Sequence, residues 1–214
     1  MNAKIRRGTP DDADFLAQVM MLASRGHLRR GVWDLIAGGS ENNCLDYLRR
    51  LALSDPVSLC HYSSFIVVEQ DGRPAAALCG FNPRAGGWPT LGIAMQNVQR
   101  ELGWTQADEK ASAARTAPVW QCTFDTLEGA WVIESVATLP EFRRRGLADA
   151  LMAEILEVGR ARGHRLAQLT ILIGNDAARR AYEKAGFSVR DEKRHRDFEA
   201  ALGAAGFMRM VRQY

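Results

Sequence analysis

Three consecutive arginines and a glycine, Arg143 to Gly146, stand between a strand-like run and a helical one. Residues 131 to 138 are apolar and rich in β-formers, and Pro140 ends the run. From Gly146 to Arg162, Leu147, Leu151, Ile155 and Val158 recur at helical spacing, and Gly163 stops the pattern. A helix start offers free backbone N–H groups and the positive end of its dipole, so with adjacent guanidinium groups it suits a pyrophosphate. Gly146 would let the phosphate close on the backbone, and the small Ala148 keeps the next turn open. This is not a Walker loop, which needs GK[ST], nor the dinucleotide fingerprint, which needs three glycines where this turn has one.

Arg143, Gly146 and Ala148 after a strand resemble the signature of the GNAT superfamily of acyl-CoA-dependent N-acyltransferases: Arg or Gln, two residues, Gly, one residue, then Gly or Ala. The preceding ESVATLPEF looks like that family's entry to the turn. IGNDAARRAYEKAGF resembles its second element, with Asn175, Tyr182, Gly186 and Phe187 at the matching places. Together the motifs cover residues 131 to 190. The resemblance implies an α/β (α+β) fold with a mixed, mostly antiparallel sheet flanked by helices, acetyl-CoA as co-substrate, and no metal. It further implies that the backbone of Val136, Ala137 and Thr138 pairs with the pantetheine arm like an added strand, one amide polarising the acetyl carbonyl. Arg143, Arg144, Arg145, Gly146, Leu147, Ala148 and Asp149 would hold the pyrophosphate, and Asn175 would contact the pantetheine. Tyr182 matches the general acid that protonates the departing thiolate and borders the cofactor.

A phenol of pKa near 10 stays protonated at neutral pH and can give its proton to a sulfur anion. Spacing alone would make Tyr182 a packing residue with a wet hydroxyl, and Asn175 an ordinary helix N-cap. An amine acceptor must lose a proton before it attacks, and Glu134 is the candidate base. Strict alternation puts residues 134, 136 and 138 on one face; the plain alternative is a solvated or salt-bridged strand glutamate. Where members that acetylate protein N-termini often carry a second acid, this chain has Thr170. Weaker candidates for the acceptor pocket are Trp131, Trp120, Asp125, Glu128, Phe142 and His195. The expected reaction is direct attack in a ternary complex, without a covalent intermediate. The alternative is a catalytically idle acyl-CoA-binding or regulatory module.

The elements that must hold these residues read as follows. Lys4 to Arg7 can form a strand, and Thr9-Pro10 with an acidic first turn starts a helix. A second helix covers about Cys44 to Leu53. Residues 64 to 70 and 75 to 81, joined at Asp71-Gly72, form a hairpin. Residues 82 to 126 read as an insertion, a loop and then weakly amphipathic helix, which we expect to lid the acceptor side. Leu166 to Ile173 is a buried strand, Asn175 and Asp176 cap a short helix ending at Gly186, and strands follow at 187 to 190 and 207 to 213. The order from residue 131 is β-α-β-α-β-β.

The 214 residues, 47% hydrophobic and 25% charged, suit one folded domain spanning 1 to 214. No apolar run reaches the roughly 18 residues of a membrane-spanning helix. Acidic residues Asp11, Asp12 and Asp14 occupy the place of a signal peptide's apolar region, so a cytoplasmic protein is expected. The net charge of +3 is uneven, with +5 in residues 141 to 214. Arginine pairs such as Arg29 and Arg30 read as surface. The four cysteines have no CxxC spacing and the four histidines no HExxH or HxH, so no metal is assigned. No nucleic-acid motif accompanies the basic segment. The expected partners are acetyl-CoA and a small-molecule or peptide amine, with no nucleic acid and no membrane; the chain is expected to be a monomer or homodimer.

Overall fold

The computed structural model describes residues 3 to 214. Its strands are β1 (Ala3–Arg7), β2 (Phe65–Gln70), β3 (Arg73–Phe81), β4 (Ala130–Thr138), β5 (Leu166–Leu172), β6 (Ser188–Arg194) and β7 (Gly206–Gln213). They form one sheet in the order β1-β2-β3-β4-β5-β7-β6, parallel only between β4 and β5. The helices are α1 (Ala13–Arg25), α2 (Val32–Ala37), α3 (Glu41–Leu53), α4 (Trp88–Glu101), α5 (Gln106–Trp120), α6 (Leu147–Ala161), α7 (Asp176–Lys184) and α8 (Arg196–Leu202).

Two cores sandwich the sheet. On one face Phe65, Val67, Ala77, Cys79 and Val132 meet α1, α3 and α4 through Leu16, Met20, Leu48, Leu51 and Val98. On the other, Ile66, Val68, Leu78, Trp131 and Ile133 meet α6 through Leu151 and Ile155, and Ala178 and Tyr182 of α7 join them. Full burial of each large aliphatic side chain contributes about 1.5–3 kcal/mol. A third cluster, Leu35, Val119, Leu172, Phe198 and Leu202, joins α2, α5 and α8 at the end of β5. Among the described residues no helix is long and apolar enough to cross a membrane.

Two helices go beyond the sequence reading. α2 and α8 are six and seven residues long, too short to set up a helical period. The order from β4 onward is therefore β-α-β-α-β-α-β, with α8 between β6 and β7. The insertion is two helices, and α4 starts at Trp88 with Pro89 in its first turn.

The expected alternation along β4 is also corrected. Glu134 pairs with Cys79, Ala137 with Ala77 and Thr138 with Ala76, so the register slips between Cys79 and Ala77. Ser135 takes a positive φ of 55° there, a left-handed conformation that a non-glycine residue adopts at a cost of about 1 kcal/mol or more. Such a bulge adds one residue to one strand and reverses side-chain parity beyond it. Val132 and Ala137 thus share the α1 face, whereas Ile133 and Val136 share the α6 face. Glu134 lies with the first pair; Val136 and Thr138 lie opposite.

Candidate active site

β4 and β5 pair only through Ala130–Leu166, Trp131–Ala167 and Val132–Gln168. Beyond Val132 they part, and the edge of β4 that faces β5 loses its ladder. Residues 133 to 138 therefore present backbone donors and acceptors to a gap, an arrangement that an extended chain can complete. Val136, Ala137 and Thr138 lie on that edge, all half-buried.

The turn above the gap is built from its arginines. Arg143 donates from Nε to the Thr138 carbonyl at 3.3 Å, and Arg145 donates from Nη2 to the Glu141 carbonyl at 3.0 Å. Arg145 and Arg73 lie 5.3 and 5.4 Å from the centre of the buried Phe142 ring. Two of the three guanidinium groups thus hold the turn in shape. Arg144 and Gly146 have φ of 61° and 74°. The Arg143 N–H bonds to the Pro140 carbonyl and the Ala150 N–H to the Gly146 carbonyl, while the N–H groups from Arg144 to Asp149 make no turn or cap bond. A Cβ on Gly146 would meet nothing within 4 Å. The open space and the N–H groups without a turn or cap bond fit a pyrophosphate. Asp149 accepts from Lys184 at 2.6 Å; this exposed pair ties the start of α6 to the end of α7 and contributes no more than about 1 kcal/mol.

Asn175 caps α7: its Oδ1 accepts from the Ala178 N–H at 3.2 Å. The N-cap reading thus holds for Oδ1, and the side-chain NH2 remains for another partner. Tyr182, on the face of α7 that meets the α6-side core, stands edge-on to Phe187 with centroids 6.2 Å apart. Burial pushes its phenol above the ordinary value, and the charge of Glu134 pushes it further. Glu134, half-buried on the α1 face, makes no ion pair or side-chain hydrogen bond among the described residues. Burial alone raises its carboxyl to about 7. The same carboxylate acts on the buried thiols of Cys60 and Cys79, which burial has already raised. Glu134 and Tyr182 thus approach the gap from opposite faces of the sheet. A carboxyl titrating near neutrality and a protonated phenol there can take and give protons.

The weaker acceptor-pocket candidates do not gather at the gap. Trp131 and Phe142 belong to the core under α6, with Arg162 5.1 Å from the centre of the Trp131 ring. Glu128 pairs with Arg84, the Asp125 carbonyl accepts from Arg209 at 2.9 Å, and His195 caps α8 through Nδ1. Trp120 is exposed and lines a cleft of about 450 Å³ between α4 and α5, which contains none of the motif residues. A smaller cleft of about 170 Å³ does contain Asn175, with Gly174, Arg179 and Arg194. Sequence reading missed the loop between α1 and α2, where Gly26 faces Asn175: a Cβ on Gly26 would lie 2.9 Å from Nδ2. Gly26 and Gly31, which bracket HLRR, are its only signal. No group of metal-ligating side chains occurs among the described residues.

Fold and site define an acyltransferase scaffold, a sheet split between two parallel strands beneath a helix start with open space at its glycine. The chain belongs to the acetyltransferase (GNAT) family, whose model matches residues 39 to 187. Among solved structures, an acetyltransferase superposes with a TM-score of 0.69 at 19% identity, covering 98% of each chain. An N-acetyltransferase from Staphylococcus aureus Mu50 gives 0.66 at 18% identity, over 97% of this chain and 99% of its own. The PaiA N-acetyltransferase from Thermoplasma acidophilum, in complex with coenzyme A, gives 0.51 at 12% identity over 100% of both chains. Identities this low establish a shared fold. No curated protein sequence matches the chain.

Proposed function

We propose that this chain is an acetyl-CoA-dependent N-acetyltransferase that joins acetyl to an amine in a ternary complex. The observation that carries the reading is the break between β4 and β5, flanked by Glu134 on one face and Tyr182 on the other. Bound in the gap, acetyl-CoA would supply the thioester that the amine attacks. The N–H groups from Arg144 to Asp149 would hold its diphosphate, with Arg143, Arg145, Gly146 and Ala148 shaping the turn. The free edge at Val136, Ala137 and Thr138 would align the pantetheine, and an amide there would stabilise the developing oxyanion. Asn175, already the cap of α7, would present its NH2 to the same arm.

Glu134 takes the proton that the amine must lose, directly or through water, and its raised pKa suits a base working near neutrality. Tyr182 gives its phenolic proton to the departing sulfur. No step places a covalent bond on the protein. That a GNAT neighbour has been solved with coenzyme A supports the choice of cofactor. The chain is read as one catalytic domain in which the insertion, residues 82 to 126, lids the acceptor face through α5. In support, the Ser112 hydroxyl donates to the Ile36 carbonyl at 2.8 Å and Arg115 Nε to the Leu35 carbonyl at 2.7 Å.

The test is release of free thiol from acetyl-CoA with a broad amine panel, with products read by mass spectrometry. Amine-dependent thiol release and a mass gain of one acetyl group are expected. A rise in Tm on adding CoA, with no turnover of any amine, would instead mark an acyl-CoA-binding module.

A further inference from the structure

We infer that the acceptor carries a carboxylate beside its amine, and that Arg29 and Arg30 receive that carboxylate. The inference rests on the acetyltransferase reading and adds the acceptor's charge. The loop between α1 and α2 is seated at the end of β5. Gly26, at φ 56°, faces the Asn175 side chain, and His27 Nε2 lies 3.3 Å from where a Cβ on Gly174 would stand. Leu28 packs into the cluster of Leu35, Leu172 and Phe198. The loop therefore borders the gap on the α1 face, the face of Glu134.

Its charges are unbalanced. Arg25, just before the loop, is occupied by Asp34 and Glu41, each at 2.7 Å. Asp34 also accepts from the Gly31 N–H at 2.7 Å. Arg29 and Arg30 are exposed and have no ion pair or side-chain hydrogen bond among the described residues. Across the corner, Arg179 and Arg194 are matched by Glu183 and Glu192, and the charge of Asp176 acts on Arg179. Arg29 thus remains unmatched at the rim, Arg30 is engaged only at longer range through the field of Asp34, and Glu134 is the carboxylate between the strands. A polycationic acceptor would meet like charge at this entrance. A carboxylate would meet donors whose planar fork matches its two oxygens, and their field would steer it inward.

The test compares initial rates for L-amino acids and short acidic peptides with those for the same molecules as carboxamides, and with spermidine, all against acetyl-CoA. The free acids should have the higher kcat/KM by about tenfold or more, a preference that weakens with added salt. The double variant Arg29→Ala/Arg30→Ala should raise acceptor KM about tenfold and erase the preference, with KM for acetyl-CoA unchanged and the same Tm. Arg29→Lys/Arg30→Lys should keep part of it. Carboxamides or spermidine turned over as well as the free acids, or an unchanged acceptor KM in the double alanine variant, would overturn the inference and leave the enzyme standing. Turnover of no amine, with CoA still raising Tm, would overturn the enzyme reading and this inference with it.

Discussion

Glu134 and Tyr182 stand on opposite faces of the split sheet, and the carboxylate's charge helps to hold the proton on the phenol. This coupling has a direction. When Glu134 accepts a proton its charge disappears, and with it the part of the phenol's upward shift that the charge causes. Protonating the base therefore makes the acid more acidic. In the proposed reaction the amine's proton arrives as the thiolate needs one, so uptake on one face favours release on the other. Glu134 keeps the α1 face by plain alternation with Val132, and the bulge at Ser135 turns only the residues beyond it, Val136 among them, to the α6 face.

The first consequence is a pH profile. With Glu134 raised to about 7, kcat/KM should climb through pH 6 to 8 as the carboxyl ionises. Glu134→Gln should remove that limb and lower kcat/KM by about 10²–10⁴ at pH 7.5. Rates across pH at subsaturating acceptor check it. A wild-type profile with no limb near 7 would remove Glu134 from the role.

The raised carboxyl also predicts a stability effect of definite sign. Folding raises the Glu134 carboxyl from an ordinary 4.5 to about 7, so the native state holds its proton more tightly than the unfolded chain. Stability is full below pH 4.5 and falls as pH rises from there through about 7. Each tenfold change in proton affinity corresponds to about 1.4 kcal/mol, so with Glu134 partly exposed a cost of about 1–3 kcal/mol remains above pH 7. Glu134→Gln should therefore melt higher than wild type at pH 8, by about 2–4 °C per kcal/mol. The gain should vanish near pH 4.5 in thermal melts, even as activity falls.

Tyr182→Phe removes only the hydroxyl, which makes no hydrogen bond among the described residues, and keeps the edge-on contact with Phe187. Stability should change by less than about 1 kcal/mol, whereas kcat should fall about 10²-fold or more with KM for acetyl-CoA little changed. A replacement leaving group whose thiol needs no proton should recover much of the loss. Equal losses for both leaving groups would assign the hydroxyl to positioning.

How much of this was legible in the sequence depends on the distance over which each feature is encoded. The turn from Arg143 to Gly146 and the cap at Asn175 are local: a strand end, a glycine at positive φ and a side chain three residues from the N–H it accepts. The hairpin at Asp71-Gly72 is local for the same reason. The bulge was not legible, since nothing in ESVAT marks Ser135 for a left-handed conformation; pairing with β3 imposes it. α8 carries two buried residues four apart, Phe198 and Leu202, too few to reveal a period. Among the aromatic side chains offered for the acceptor pocket, Trp131 lies in the core under α6, which composition cannot foretell because it does not say which face of a sheet a tryptophan occupies. Trp131 is one residue from Val132 and therefore lies in the opposite core.

Gly146→Ala separates binding from folding at the helix start. A methyl group there would meet no protein atom within 4 Å, so packing tolerates it. The φ of 74° does not suit alanine, and the strain is about 1 kcal/mol or slightly more, a Tm loss of a few degrees. The methyl group would instead occupy the space proposed for a phosphate, between N–H groups that make no turn or cap bond. KM for acetyl-CoA should rise tenfold or more, well beyond what the loss of stability explains, while acceptor KM at saturating acetyl-CoA stays near wild type. Isothermal titration with CoA reads the binding loss directly. Unchanged CoA affinity in a folded Gly146→Ala variant would move the diphosphate site away from this turn.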